Sequence, residues 1–445
     1  MWIGSAKNNK TKPFGFESYH EPVKSLGVNL SYDRDKNNNL NFFVKIYKMD
    51  TKLNMWQTRD LTLFGRTMLV KTLGISKLVY AASMLCVPEM VIKTVQAKIL
   101  KFLWKSKKDK VKRSVLYQSL SHGGLNFPNF HTVIKSLRLS WLGRFLNCTN
   151  ESWQAIPNDF FNRYGGLSFL LKCNYDSKKL DENLPLYYRE MLDYFKELRS
   201  GHPDIYKSEF ILWNNKEITI ENKSIFWAHL SEQGICFVHD LFDKNGKFLS
   251  PENVQRKYNV HLNFFQYFQL IAAIPSYLKK NAQETAVTNR NILNERDVFY
   301  LSENKALYLT KLRCKDYYNL FQENNMKEPT AVKSWTRLFP NFAHSWKQIF
   351  NTIYQTTADN KLREFGFKFL HRILVTNREL KRFKIRSDDI CAQCKNSDSL
   401  EHTFLERPIN VKFYQEILSW LNAVNRTFIN LSTEQFLFQN YPLLL

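Results

Sequence analysis

The chain is short of acid. Its 445 residues hold 64 lysines and arginines against 41 aspartates and glutamates, a net charge of +23. It is also short of long apolar runs. None reaches the roughly 18–20 residues that a membrane-spanning helix requires, so no membrane partner is expected. The opening Met1-Trp-Ile-Gly-Ser5 does not read as a secretory signal, because no basic segment leads into an apolar core. Cysteine is scarce: Cys86, Cys148, Cys173, Cys236, Cys314, Cys391 and Cys394. An odd, scattered set in a long chain points to a reducing compartment, nucleus or cytoplasm. Triplets such as Asn150-Glu-Ser152 then carry no glycan meaning. Catalytic motifs are missing as well. The only Asp-Asp pair, Asp388-Asp389, stands in a polar loop, and no nucleophile accompanies His239-Asp240 in any motif. No catalytic residue is assigned.

What is present argues for folding. The chain is 44% hydrophobic and 15% aromatic, and its length allows two or three domains. Its basicity, with a pI near 9.5, suggests a polyanionic partner, RNA or DNA first. The charge is clustered: Lys45 to Arg113 carries sixteen Lys/Arg against four Asp/Glu.

The apolar pattern predicts a mainly α-helical chain with a small β remnant at the N-terminus. Trp2-Ile3 and Leu26 to Leu30 are strand-like. From Asn41 the period is helical, with Phe42, Ile46, Met49, Leu53 and Trp56 on one face. A break at Thr58–Asp60 precedes a second helical run, Leu61 to about Leu85. Pro88 opens a third helix with the stripe Val91, Val95, Ile99 and Phe102. Lys105 to Arg113 then reads as a basic loop. Further on, Ile134, Leu137, Trp141 and Phe145 mark one helix face. Leu362, Phe365, Phe369 and Ile373 mark another, and Phe413, Ile417 and Leu421 a last one. The expected segments are 1–40, 41–150, 151–330 and 331–445.

Cationic residues in the basic region are candidate phosphate contacts: Arg59, Arg66, Lys71, Lys105, Lys107, Lys108, Lys110, Lys112 and Arg113. Phe102 and Trp104 could stack on bases, but core packing is the stronger expectation for them. Asp243-Lys-Asn245-Gly246 with Glu252 echoes a calcium loop. It lacks its first ligand, since Leu241 offers no side-chain oxygen, so it reads as a turn.

The sharpest chemical pattern is Cys391-Ala-Gln-Cys394 followed by His402. The knuckle spacing is that of a structural zinc site, which wants four ligands. Three are in place, and the turn after His402 offers Glu406 and then Arg407, which cannot ligate. Either zinc is weakly held or lost, or Glu406 or His371 completes the site.

Stretches along nearly the whole chain resemble the C-terminal half of a non-LTR retrotransposon reverse transcriptase, of the long interspersed element kind. They are Met1 to Ser5, Val23-Lys-Ser-Leu-Gly-Val28, and Trp56-x-x-Arg59-x-Leu61-Thr-Leu-x-Gly65-Arg66. Gly123-Gly-Leu-Asn-Phe-Pro128, Asp240-Leu-Phe-Asp243 and Ala273-Ile-Pro275 follow. Leu362 to Arg372, Thr376-Asn377-x-x-Leu380 and the Cys/His segment close the series. None is specific alone; the order carries the resemblance. It implies a thumb-like basic helical region that follows the catalytic palm, and a C-terminal zinc-knuckle-like unit. Two departures matter. The palm's Asp-Asp turn is absent, and Arg407 stands where the family pattern has a fourth Cys. The implied role is nucleic-acid binding by a fragment without its palm. The alternatives are part of an active RNA-directed DNA polymerase whose upstream portion is missing, or an inert relic.

Overall fold

A computed structural model describes residues 22–105, 108–147, 151–164, 166–172, 184–200, 211–288, 298–302, 305–340, 345–425 and 437–438. The chain is mainly helical, as the periodicity predicts. The N-terminal β element is an antiparallel pair, Val23–Ser25 with Val28–Leu30. Two further short pairs, unmarked in the sequence pattern, join Thr219–Ile220 to Lys223–Ser224 and Val298–Ser302 to Lys305–Tyr308. Trp2-Ile3 lies outside the described residues.

The chain divides into two compact units. One unit is Met1–Ala81, Pro88–Phe130 and Asn325–Leu445; the other is Ala82–Val87 with His131–Asn324. The basic helical region therefore belongs with the C-terminal region. Side chains explain why. Gln118 Nε2 donates to the Lys327 carbonyl at 2.8 Å, and the His371 ring meets the Gly123 carbonyl at 2.7 Å.

In the first unit, the helix Val44–Gln57 buries Ile46, Met49 and Leu53, and Phe42 is buried just before it. Trp56 ends up 40% exposed. Thr62 caps the next helix, Leu63–Leu69, by accepting the Gly65 N–H at 3.2 Å. That helix runs through a π-helical segment, Val70–Ile75, into the helix Ser76–Met84. Gly74 lies against Met49 and Leu53, so the two runs pack closely. The helix Glu89–Leu103 buries Val91, Val95, Ile99 and Phe102 as its stripe predicts, and Trp104 beyond it is buried too.

The Gly123–Pro128 stretch forms a tight turn. Leu125 and Phe127 point into the core, and both backbone N–H groups bond the Leu116 carbonyl. Gly123 has φ of +76°, a region favourable to glycine. Gly124 sits where a Cβ would lie 2.0 Å from the Gln118 carbonyl oxygen.

The C-terminal helices centre on Trp335, whose indole donates to the Leu370 carbonyl at 2.9 Å among Phe369, Phe350 and Phe438. One expected face is corrected here. The helix Asn360–Leu370 buries Phe367, Phe369 and Leu370, while Leu362 is 58% and Phe365 47% exposed. Phe367 is drawn inward by Phe64 and the His371 ring. Ile373 falls beyond the helix end. The helix Pro408–Asn425 leaves Phe413 exposed, with Ile417 and Leu421 half-buried.

Among the described residues the second unit has two apolar clusters, one with Leu170, Met191, Phe195 and Tyr317, the other with Trp213, Leu241, Leu262 and Leu278. Arg138 is fully buried, stacked 3.7 Å over Tyr187 and bonded to Glu190 and the Leu85 carbonyl. Asp243 accepts the N–H groups of Asn245 and Lys247, which supports the turn reading of that stretch. Asp240 accepts the N–H groups of Cys236 and Phe237, a structural use of that carboxylate.

Backbone crowding at Gly124 sets a testable contrast. Gly124→Ala should destabilise the fold by about 3 kcal/mol or more, because only backbone atoms could move away. Gly65→Ala, whose Cβ meets nothing closer than 3.6 Å, should be neutral or stabilise by roughly 0.5–1 kcal/mol. Urea denaturation midpoints of the two variants and the parent measure both.

Candidate nucleic-acid interface and metal centre

The nine nominated cations do not behave alike. Arg66 is buried at 7% exposure, not displayed. Its guanidinium donates to the Leu103 carbonyl at 3.0 Å and the Leu61 carbonyl at 2.8 Å. A cation there meets the unsatisfied carbonyls at the end of the 89–103 helix. Arg113 is bound to Asp109 at 2.7 Å and opens the short helix Arg113–Leu116. Lys107 lies outside the described residues. Arg59, Lys71, Lys105, Lys108, Lys110 and Lys112 are exposed. Phe102 and Trp104 are core residues and offer no face for stacking.

Lys105 has φ of +50°, so the chain turns sharply after the helix. That turn brings Lys105 and Lys110 to a groove of about 460 Å³ that Arg66 and Trp104 also line. Across it stand Lys361 and Lys368, seven residues apart on the 360–370 helix. Nothing local in the sequence marks these two as a site, since they stand on a separate helix far along the chain from the basic loop. Two acids, Asp60 and Glu364, also line the groove. Each faces a lysine: Glu364 holds Lys368 at 2.7 Å and Asp60 lies 3.9 Å from Lys361. Five cations against two acids leave the groove positive. Arg59, Lys71, Lys108, Lys112 and Arg113 are not among its lining residues.

The Cys/His pattern does assemble. Ligand atoms of Cys391, Cys394 and His402 all lie within 4.8 Å of one another, a group that could hold a metal ion. A short hairpin shapes the knuckle: the Cys391 N–H donates to the Asn396 carbonyl at 2.8 Å, and Lys395 turns the chain with φ of +64°. Asp389 anchors the approach by accepting from Lys381 and Ser397, each at 2.7 Å. Those contacts lower its carboxyl to about 2. This settles Asp388-Asp389 into an ion-paired loop, with Arg386 beside Asp388 at 3.3 Å.

The Cys391 thiol is lowered to about 6. The N–H groups of Cys394 and Gln393 point at its sulfur first, followed by the His402 ring and the Cys394 thiol. A thiolate is the state a metal ligand needs. His402 is buried and its Nε2 lies 2.9 Å from Cys394 Sγ. The ring's other nitrogen, Nδ1, is 3.7 Å from the Glu406 carboxylate. Glu406 lies beyond hydrogen-bond distance of that nitrogen and is not among the clustered ligand atoms. His371 is no ligand either, since its Nε2 bonds the Gly123 carbonyl and Phe350 and Phe367 flank the ring. Arg407 is turned to Asp398 at 3.0 Å, an oxygen that also accepts the Thr403 hydroxyl.

Burial lowers the His371 imidazole to about 4, against an opposing contribution from the Gly123 carbonyl. A folded value below the unfolded 6.5 means the stabilisation is complete above pH 6.5. It is lost as pH falls from there toward 4, on the order of 3 kcal/mol in all. His371→Gln should lose this acid-side slope in denaturation midpoints measured between pH 7.5 and 4. A parent imidazole titrating near 6.5 by NMR would contradict the buried hydrogen bond.

Among the described residues no helix is long and apolar enough to cross a membrane. No model of a known protein family matches the chain.

Proposed function

We propose that this chain binds RNA or DNA through the phosphodiester backbone, as the thumb-like and C-terminal region of a non-LTR retrotransposon reverse transcriptase, and has no catalysis of its own. The observation that carries the reading is the groove. Lys105 and Lys110 meet Lys361 and Lys368 there from segments about 250 residues apart in the chain. Phosphate contact needs positive charge and reach, and gives affinity with little sequence preference.

Replacing Lys105, Lys110, Lys361 and Lys368 by Ala should weaken binding to many sequences alike. On duplex DNA the slope of log K against log salt should flatten by about 0.9 for each phosphate no longer neutralised. The control replaces Arg59, Lys108 and Lys112 outside the groove and should leave a larger share of the slope. Binding isotherms from low to high salt decide; equal slopes for parent and groove variant place the interface elsewhere. Nucleotide incorporation on a primed template, abolished by Asp388→Ala/Asp389→Ala, would instead favour the polymerase reading.

The metal-binding group is proposed as a weak zinc site. Two thiols and an imidazole are zinc donors, but a closed structural site takes four. Zinc there would tie the knuckle to the segment that begins at His402. Arg407→Cys supplies the missing donor and removes the cationic partner of the buried Asp398. The variant should melt below the parent in chelator and above it in zinc, with tighter zinc affinity by chelator competition. Tight zinc in the parent that survives Cys391→Ser contradicts the assignment.

A further inference from the structure

Past the groove lies a cleft of about 520 Å³, and the two share Leu374 in their walls. One side of the cleft is the short helix Asn377–Arg382. Residues three and four apart on a helix share a face. Arg378, Lys381 and Arg382 are so spaced, and all three line the cleft. Asp398 fixes the start of that helix. Its carboxylate accepts the Asn377 N–H and its carbonyl the Arg378 N–H, each at 3.2 Å. The lining also takes in Ser399, Leu400 and Glu401. Leu400 is buried in the core around Trp335, so this wall is held as well.

Arg372 completes the cleft. Its backbone has φ of +55°, a region that favours glycine just past a helix end. Its guanidinium lies 4.6 Å over the Trp335 ring and donates to the Glu401 carboxylate. Among the described lining residues, four cations meet two carboxylates, Glu379 and Glu401. Arg382 holds Glu379 at 2.6 Å, as Arg372 holds Glu401. The lining therefore carries two more positive charges than negative, with the hydroxyls of Thr376 and Ser399 beside them.

We infer that this cleft binds a terminal phosphate, that is, a phosphomonoester. Such a group carries roughly −1.5 to −2 at neutral pH, which matches the charge of the lining; an internal phosphodiester brings about half of that. Arginine presents paired N–H donors to phosphate oxygens. Walls already fixed by Asp398, Trp335 and the core lose little freedom when an anion binds. The volume suits a ligand of nucleotide size. Since Leu374 joins the cleft to the groove, a strand lying in the groove would place a phosphorylated end here. That source rests on the function proposed above; the phosphate site does not.

Calorimetric titration of the full chain tests this with inorganic pyrophosphate and with one single-stranded oligonucleotide phosphorylated at its 5′ end, its 3′ end or neither. Arg378→Gln/Arg382→Gln should weaken pyrophosphate about tenfold or more, as charge-assisted hydrogen bonds are lost. Glu379→Gln removes a carboxylate from the cleft and should tighten pyrophosphate by roughly threefold or more. Lys412→Gln removes an exposed cation on the 408–425 helix and should leave it unchanged. Arg378 and Arg382 are exposed, and matching melting temperatures confirm that the variants fold. Pyrophosphate bound alike by the parent and the double variant overturns the site. So does a parent that binds neither pyrophosphate nor a phosphorylated end in preference to the bare strand. A phosphorylated end preferred by the parent, and not by the double variant, assigns the phosphate to nucleic acid. Pyrophosphate lost in the double variant, with all three strands bound alike, upholds the site and assigns it to a small phosphorylated molecule. The groove lysines are intact in every variant, so failure of the cleft and failure of the groove are told apart.

Discussion

One buried contact holds the first unit together: the His371 ring against the Gly123 carbonyl, across 248 residues of sequence. It comes with an imidazole that burial keeps neutral, a left-handed glycine, and a turn that presses Gly124 onto the Gln118 backbone. Each of these excludes ordinary substitutes. The basic loop after the 89–103 helix and the lysines of the 360–370 helix face one groove because this contact, the Gln118–Lys327 bond and the Phe64–Phe367 packing join their segments. A surface assembled so non-locally depends on tertiary packing and not on either segment alone.

Helix faces were legible wherever one period of apolar residues met one neighbour. The stripe from Phe42 to Leu53 and that from Val91 to Phe102 are buried as their spacing implies. The Cys391, Cys394 and His402 group was legible because C-x-x-C chemistry is local. Arg66 was not, since an arginine reads as surface and its burial depends on a carbonyl 37 residues away. Leu362 and Phe365 misled for a related reason. Their spacing is helical, but the neighbours that decide burial, Phe64 and the His371 ring, select Phe367 instead. The grouping of distant segments into one unit left no mark on composition.

The Cys391, Cys394 and His402 group and its surroundings are out of step. The knuckle, the N–H groups that lower the Cys391 thiol and the buried His402 beside Cys394 all suit a bound cation. Arg407 has turned away into an ion pair with Asp398, which also receives the Thr403 hydroxyl and the Asn377 N–H. That network orders the turn by hydrogen bonds that need no metal. Local structure here is thus supported twice, by covalent spacing around the knuckle and by a satisfied carboxylate beside it.

The π-helical segment Val70–Ile75 has a consequence of its own. A π turn amounts to one extra residue inside a helix. It advances everything after it by about 100° around the helix axis. Lys77 and Tyr80 owe their direction to that insertion. Removing one residue between 70 and 75 would leave a regular helix whose later side chains point elsewhere. Where the charge at position 77 stands is therefore a matter of counting: it is set by chain length within one turn, and no side chain in that turn could restore it.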